Sequence, residues 1–137
     1  MNQRGFATLE VILMIMVIGI LSSIAVPRFT AVTTAANTAK IQSDLATIDT
    51  AIAIYQMQNG DEETPTLENL TEYFQGGIEP KPPTGKCFMV DQEDAIDVPA
   101  EEYDIDTVDG QPRAILGDGN TAEKFNVKKS DSSDSNG

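Results

Sequence analysis

One uninterrupted apolar segment near the start of the chain limits what the rest can fold into. Residues 6–26 contain a single charged side chain, Glu10, and residues 11–21 are all apolar or glycine. A helix of about 20 residues, rising about 1.5 Å per residue, spans the roughly 30 Å hydrocarbon core of a bilayer. The segment therefore predicts a membrane-spanning helix, with the later residues forming a domain beyond it.

A cleaved secretory signal is the alternative explanation of this segment. Residues 1–4 would supply its charged region, and the small residues of SSIA at 22–25 are similar to a cleavage site. Such signals have apolar regions of about 7–15 residues, whereas this run is longer and carries Glu10 near its start. A retained anchor is therefore favoured. Arg4 and the initiator amine predict a cytoplasmic N-terminus, which leaves the domain outside the cytoplasm.

Glu10 is costly inside a membrane, and two interpretations account for it. A charge at the centre of a span costs about 2.5–3.5 kcal/mol on insertion scales, and less toward the edge. Because Glu10 is the fifth residue of the run, its carboxylate could reach the headgroup region. In the second interpretation it is a buried group that awaits a partner, since ionisable residues in membrane segments are functional candidates by default.

Charge and residue types restrict what the domain can do. Residues 1–60 are neutral overall, whereas residues 61–137 hold 19 acidic against six basic side chains. Direct nucleic-acid binding is not expected, because phosphates require Lys and Arg. The chain has no histidine, and its single cysteine, Cys87, excludes an intrachain disulfide. No nucleophile–base pair, phosphate loop or ligand cluster in the sequence indicates an enzyme, and no cofactor is expected.

A second helical pattern continues beyond Pro27. Asn59 and Gly60 form a typical stop signal, so one helix is predicted over residues 6–58. Apolar side chains spaced by three and four residues form a single stripe that should hold the domain against this helix; they are Ile41, Leu45, Ile48, Ile52 and Tyr55.

Short elements are predicted after the long helix. Residues 66–74 have a helical face, with Thr66 as its N-cap and Asn69 where a capping box would place Glu. EPKPPTGK, residues 79–86, is a Pro-rich turn. Three or four strands follow, at residues 86–90, 101–108, 111–116 and 123–127, with a turn at Asp109 and Gly110 joining the second to the third. The fold class is α+β, a long helix packed on a small antiparallel sheet.

The start of this chain, R-G-F-A-T-L-E before a long apolar helix, resembles the class III signal of type IV pilins and type II secretion pseudopilins. The resemblance covers about residues 4–58. The family usually has F-T-L-x-E, and here Ala7 precedes Thr8 and Leu9 while the spacing of Glu10 is kept. The resemblance implies the pilin fold. It implies a leader (1–5) and a transmembrane and filament-core helix (6–29). Together with the residue patterns, this divides the rest of the chain into an amphipathic continuation of the helix (30–60), a small head (61–127) and a tail (128–137) whose small polar residues predict disorder.

The resemblance also assigns roles to single residues. Prepilin peptidase would cut between Gly5 and Phe6, and its methyltransferase activity would methylate the new Phe6 amine. Glu10 would then act in assembly, facing the Phe6 amine of a neighbouring subunit. The region from Gly19 to Pro27 would lose helicity when subunits pack into a filament.

The implied function is that of a structural filament subunit. Its partners would be the peptidase/methyltransferase, other copies of itself, minor pilins, a membrane platform protein and, before assembly, the lipid bilayer. It would reside in the cytoplasmic membrane and then in a pilus or pseudopilus, in the periplasm or at the cell surface. A type IV pilus, a secretion pseudopilus and a DNA-uptake pilus remain open. The alternative function is a single-pass, membrane-anchored binding module with an acidic domain.

A calcium site is a minor alternative for the loop LGDGN. Major pseudopilins carry calcium in their C-terminal loop region, which would make Asp118 and Asn120 candidate ligands. The chain lacks the regular spacing of acidic ligands found in EF-hand loops. An ordinary turn is therefore the favoured interpretation of these residues.

Overall fold

The computed structural model describes residues 3–60 and 63–126, apart from the side chain of Pro27. These residues divide into two compact units, with the boundary between Thr33 and Thr34. Helix α1, Gln3–Asn59, contributes residues to both units. The tail predicted over residues 128–137 lies outside the described residues.

The first unit is entirely helical, because its residues satisfy their polar groups within the helix. Ile, Val, Leu and Met make up much of its sequence, and the backbone bonds of an α-helix leave nothing in its interior unpaired. The hydroxyls also bond to carbonyls three or four residues earlier: Thr8 Oγ1 donates to the Arg4 carbonyl at 2.9 Å, and Ser23 Oγ donates to the Ile20 carbonyl at 2.7 Å. Such a segment can therefore lose water without leaving these hydroxyls unsatisfied.

Helix α1 ends where the sequence predicts. Gly60 follows with a φ of 94°, a value that favours glycine. Its N–H donates to the Gln56 carbonyl at 2.7 Å, and Asn59 Nδ2 donates to the Tyr55 carbonyl at 3.1 Å. The predicted long helix is confirmed, and it is one turn longer at its start.

The second unit has its core along the predicted apolar stripe. Ile41, Leu45 and Ile48 are fully buried, Ile52 is nearly so, and Tyr55 packs at the margin. The remaining core side chains come from the helix and from the residues after it: Ala51, Leu70, Phe74, Cys87, Tyr103, Ala114, Leu116 and Phe125. The predicted role of the stripe, to hold the head against the helix, is confirmed.

Four strands form two antiparallel pairs in the described part of the head. Strand β1, Lys86–Cys87, pairs with β2, Ile96–Asp97. Strand β3, Tyr103–Val108, pairs with β4, Gln111–Leu116. Asp109 and Gly110 have φ values of 53° and 80°, as a two-residue hairpin turn of type I′ requires. The α+β class and this hairpin are confirmed, although the strands form two small sheets and not one.

Two predicted strands are shorter in the structure, for a physical reason. Beyond Cys87 the chain no longer pairs with β2. The Phe88 N–H points away from β2 and could extend the pairing with the chain after Ala122, but it donates instead to Thr38 Oγ1 on α1, at 2.8 Å. Among the described residues, Met89 pairs with Phe125 through an isolated bridge. The edge strand predicted from residue 123 begins instead as a 3₁₀ turn, Ala122–Lys124.

The short helical segment is a 3₁₀ helix, Glu68–Tyr73, with the predicted cap. The Thr66 N–H donates to Asn69 Oδ1 at 3.0 Å, and the Asn69 N–H donates to Thr66 Oγ1 at 3.4 Å. The two side chains thus exchange backbone bonds, as a capping box does. A second 3₁₀ turn, Gln75–Gly77, follows.

The buried stripe predicts a large effect of truncating one of its members. Ile48→Ala should lower the free energy of unfolding of the head by about 2–5 kcal/mol, since it leaves a cavity in the core. Urea unfolding of the full chain in detergent micelles, followed by circular dichroism, measures this. Met57→Ala is the matched control, because Met57 lies on the same helix but is 87% exposed. Equal effects of the two substitutions would contradict the assignment of the core.

Candidate functional site

The first unit presents apolar side chains on every side of its helix. None of its most apolar 18-residue window is buried within the described structure, and by length and composition this helix could cross a membrane. A helix that is apolar all round requires lipid or other protein around it. The exposed large side chains before residue 34 are Phe6, Leu9, Val11, Ile12, Leu13, Met14, Ile15, Met16, Val17, Ile18, Ile20, Leu21, Ile24, Val26, Phe29 and Val32.

Glu10 is the only acidic side chain on this surface. It is exposed, and none of the ion pairs found between described residues involves it. Phe6 is four residues earlier, so both lie on one face of the helix. Phe6 is 77% exposed, and its nitrogen is in a peptide bond with Gly5 in this chain. A cationic amine at Phe6 can exist only after that bond is cut.

Gly19 and Pro27 both lie inside helix α1 in the single chain. A Cβ added to Gly19 would meet nothing within 4 Å, so packing inside this chain does not require glycine there. The expected loss of helicity concerns a filament, and it stays a prediction.

The loop with Asp118 and Asn120 is a closed turn. The Leu116 N–H donates to the Asn120 carbonyl at 2.9 Å, and Asn120 Nδ2 donates to the Leu116 carbonyl at 3.2 Å. Asp118 is exposed. Across residues 3–60 and 63–126, no group of three or more His, Cys, Asp or Glu side chains could hold a metal. The turn thus has a structural explanation, and the calcium alternative stays a prediction.

Polar side chains of α1 donate hydrogen bonds to the backbone of the head. These contacts were not predicted from the sequence. Asn37 Nδ2 donates to the carbonyls of Thr84 and Lys86, at 3.1 and 3.0 Å. Lys40 Nζ donates to the Lys81 carbonyl at 2.8 Å. These bonds fix the Pro-rich turn on the helix. Their signal in the sequence was the recurrence of polar residues at helical spacing beside the apolar stripe.

Two aspartates of α1 hold the hairpin. Asp44 Oδ2 accepts a bond of 2.7 Å from the Tyr103 hydroxyl, and burial together with this bond raises the pKa of the Tyr103 phenol. Asp49 Oδ1 accepts from the Ala114 N–H at 2.8 Å, and its Oδ2 accepts from Arg113 Nε at 3.1 Å. The hairpin is therefore attached to the helix at both of its strands.

Arg113 extends this network to Glu123. Its Nη2 donates to Glu123 Oε1 at 2.8 Å. The bonds to Glu123 and then to Asp49 raise the pKa of the guanidinium. Hydrogen bonds from Thr121 and then from Arg113 lower the pKa of Glu123 to about 2. The carboxylate of Glu123 is thus held in its charged form by the fold.

Comparison with known proteins gives a class that agrees with this architecture. A type IV narrow pilus major component, PilA5 of Thermus thermophilus, is 36% identical over 77 residues, which are 56% of this chain and 65% of that protein. Type II secretion system core protein G is 34% identical over 67 residues in Klebsiella michiganensis, covering 49% of this chain and 46% of that protein. The Escherichia coli core protein G is 35% identical over 73 residues, covering 52% and 50%.

A long helix with an exposed apolar first part, followed by a small α+β head, is consistent with the pilin fold. The chain has homologues among type IV pilins and type II secretion pseudopilins, at about 35% identity over about half its length, which confirms the resemblance seen at its start. The names of these homologues describe structural components and not enzymes, as expected for this chain. It spans about half to two-thirds of the length of these relatives. No family model matches the chain, and no solved structure matches it.

The depressed pKa of Glu123 predicts a pH-dependent contribution to stability. A carboxylate whose pKa is lowered in the folded state stabilises the fold at pH values above its ordinary pKa near 4.5. This contribution disappears as the pH falls toward about 2. Glu123→Gln should therefore lower the free energy of unfolding by about 0.5–1 kcal/mol at pH 6, a modest effect because the side chain is exposed. The difference from the unchanged chain should shrink at pH 3 and below.

Urea unfolding of the full chain in micelles at several pH values measures that difference. Glu102→Gln controls for the change in net charge alone. A difference that stays constant from pH 6 to pH 2 would contradict the role given to the Glu123 carboxylate.

Proposed function

We propose that the chain is a structural subunit of a helical filament of the type IV pilus or type II secretion pseudopilus class. The observation that carries the proposal is the exposed apolar part of α1, residues 3–33, whose one acidic side chain, Glu10, lies five residues after Gly5. The homology to a pilus major component and to secretion core proteins supports the same class. A surface of this size must be covered, and bundled helices of neighbouring copies cover it without further partners.

Processing is the first step of the proposed cycle. Prepilin peptidase cuts between Gly5 and Phe6, and its methyltransferase activity methylates the Phe6 amine. Both residues are exposed on α1. The apolar segment survives the cut, because it lies entirely after Gly5. The subunit therefore remains a single-span protein of the cytoplasmic membrane, with its N-terminus in the cytoplasm and its head outside.

Assembly then transfers the helix from lipid to the filament core. A platform protein in the membrane and minor pilins are the proposed partners of this step. Each subunit contacts the next through different surfaces of the same helix, and such heterologous contacts generate open helical filaments. The finished pilus or pseudopilus lies in the periplasm or at the cell surface.

Glu10 supplies the specific contact in this assembly. An unpaired carboxylate in an apolar core is strongly unfavourable. The Phe6 amine created by cleavage in a neighbouring copy provides the opposite charge. Breaking a buried ion pair by removing one partner costs about 3–5 kcal/mol. The pair thus favours assembly of cleaved subunits over uncleaved ones, since only cleaved subunits offer the amine.

Glu10→Ala tests the pairing in cells that express the matching assembly machinery. We expect normal insertion and cleavage, but the number of filaments should fall by about tenfold or more, because the neighbour's amine is left unpaired. Mass spectrometry of the mature N-terminus reports cleavage and methylation, and the sheared filament fraction reports assembly. Glu10→Asp keeps the charge and is the control. Normal filaments from Glu10→Ala would exclude the pairing.

The same mass spectrum tests the class of function. A chain cut before Phe6 and methylated there is the expected result. A mature membrane chain that keeps Gly5 attached to Phe6 would instead support the single-pass binding module with an acidic head.

The region from Gly19 to Pro27 is proposed to lose helicity in the filament. Pro27 supplies no N–H to the helix, and glycine is a poor helix former. Amide hydrogen exchange should therefore be faster at residues 19–27 in filaments than in micelle-bound subunits, relative to residues 41–52 as an internal control. A filament map with an unbroken helix through this region would contradict the proposal.

A further inference from the structure

The hairpin of β3 and β4 has two outer edges, and the edge of β4 is closed. The Ala114 N–H donates to Asp49 Oδ1 at 2.8 Å, and the Leu116 N–H donates to the Asn120 carbonyl at 2.9 Å. Pro112, the remaining residue with its nitrogen on this edge, has no N–H to offer. No further strand could extend the sheet on this side.

The edge of β3 is different, because no strand pairs with it in the described part of the chain. Residues opposite each other in an antiparallel pair alternate between bonding one another and pointing their N–H groups outward. Ala114 points its N–H away from β3, toward Asp49, so its partner Ile105 points its own N–H away from β4. The same holds two residues on, where Thr107 lies opposite Pro112.

Two of the three outward N–H groups of β3, those of Ile105 and Thr107, are occupied by the preceding aspartate; the third belongs to Tyr103 at the start of the strand. The Ile105 N–H donates to Asp104 Oδ1 at 2.8 Å, and the Thr107 N–H donates to Asp106 Oδ1 at 2.7 Å. Hydrogen bonds to a carboxylate are stronger than those to a neutral carbonyl. We propose that Asp104 and Asp106 act as an edge guard, which keeps β3 from pairing with the β3 strand of a second copy.

The two aspartates make the addition of another strand at this edge unfavourable. Its carbonyls must displace two carboxylates from the N–H groups of Ile105 and Thr107. If the strand is β3 of another copy, it also brings its own Asp104 and Asp106 close to these, and like charges across a strand pair are destabilising. Unprotected edges promote association of sheets. The guard is independent of the filament function, but in a filament it would leave association to the apolar helix.

The double variant Asp104→Ala/Asp106→Ala tests the guard in the full chain, in detergent micelles with detergent in excess. Loss of both carboxylates should increase self-association about tenfold or more, measured by sedimentation equilibrium. An infrared band of intermolecular β-structure should appear with it. Glu101→Ala/Glu102→Ala removes the same charge from two exposed neighbours and should leave association unchanged. An Asp104→Ala/Asp106→Ala chain that associates no more than this control would overturn the proposal.

A second variant separates the hydrogen bonds from the charge. Asp104→Asn/Asp106→Asn is neutral but keeps an oxygen that can accept the same N–H groups, so it should associate little more than the unchanged chain. Association as strong as that of the alanine variant would overturn the role of the bonds. Cys87 reports whether each variant is folded, because its thiol is fully buried and burial raises its pKa. Rapid thiol labelling would mark association caused by unfolding, which would also overturn the proposal.

Discussion

Burial of the apolar stripe on α1 is the interaction on which the head depends. Ile41, Leu45 and Ile48 have no exposed surface, and each such side chain contributes about 1.5–3 kcal/mol when it leaves water. The short strands could not be stable alone, since isolated two-stranded hairpins are marginal in water. The earlier part of the same helix has an exposed apolar surface of its own, and none of its most apolar 18-residue window is buried by the described residues. The apolar surface of the second half of α1 is therefore buried within the chain, whereas that of the first half needs lipid or other protein around it.

Polar side chains determine how the head is placed on that stripe. Thr38 is fully buried, and its hydroxyl donates to the Thr34 carbonyl at 2.8 Å while accepting the Phe88 N–H at 2.8 Å. Each such bond contributes little net stability, yet a buried group left without it costs more. Apolar burial alone would permit several placements of the strands. The bonds of Thr38, Asn37 and Asp49 favour the observed one, because a different placement of the strands would lose them.

The elements that were predictable from sequence are those coded by neighbouring residues. The long helix follows from its periodicity, the hairpin from Asp109 and Gly110, and the cap from Thr66 and Asn69. Strand β2, Ile96–Asp97, was not predicted, because two residues show no alternation and their pairing is decided by distant partners. Glu10 could also be identified as a candidate functional residue from its neighbours in sequence, because it is a charged residue within an apolar run. Its proposed pairing, like the proposed guard on β3, depends on a second molecule, which no pattern within one chain contains.

The charge of the head complements the apolar surface of the helix. In the described part of the second unit, residues 34–60 and 63–126, there are 17 acidic and five basic side chains, and Lys40, Arg113 and Lys124 are already paired with acids of the same unit. Heads of two copies therefore repel each other at short range, within a Debye length of about 8 Å at physiological salt. The attraction between buried helices does not decay with salt in this way. In the proposed filament, this repulsion favours arrangements that bundle the helices over arrangements that join heads alone.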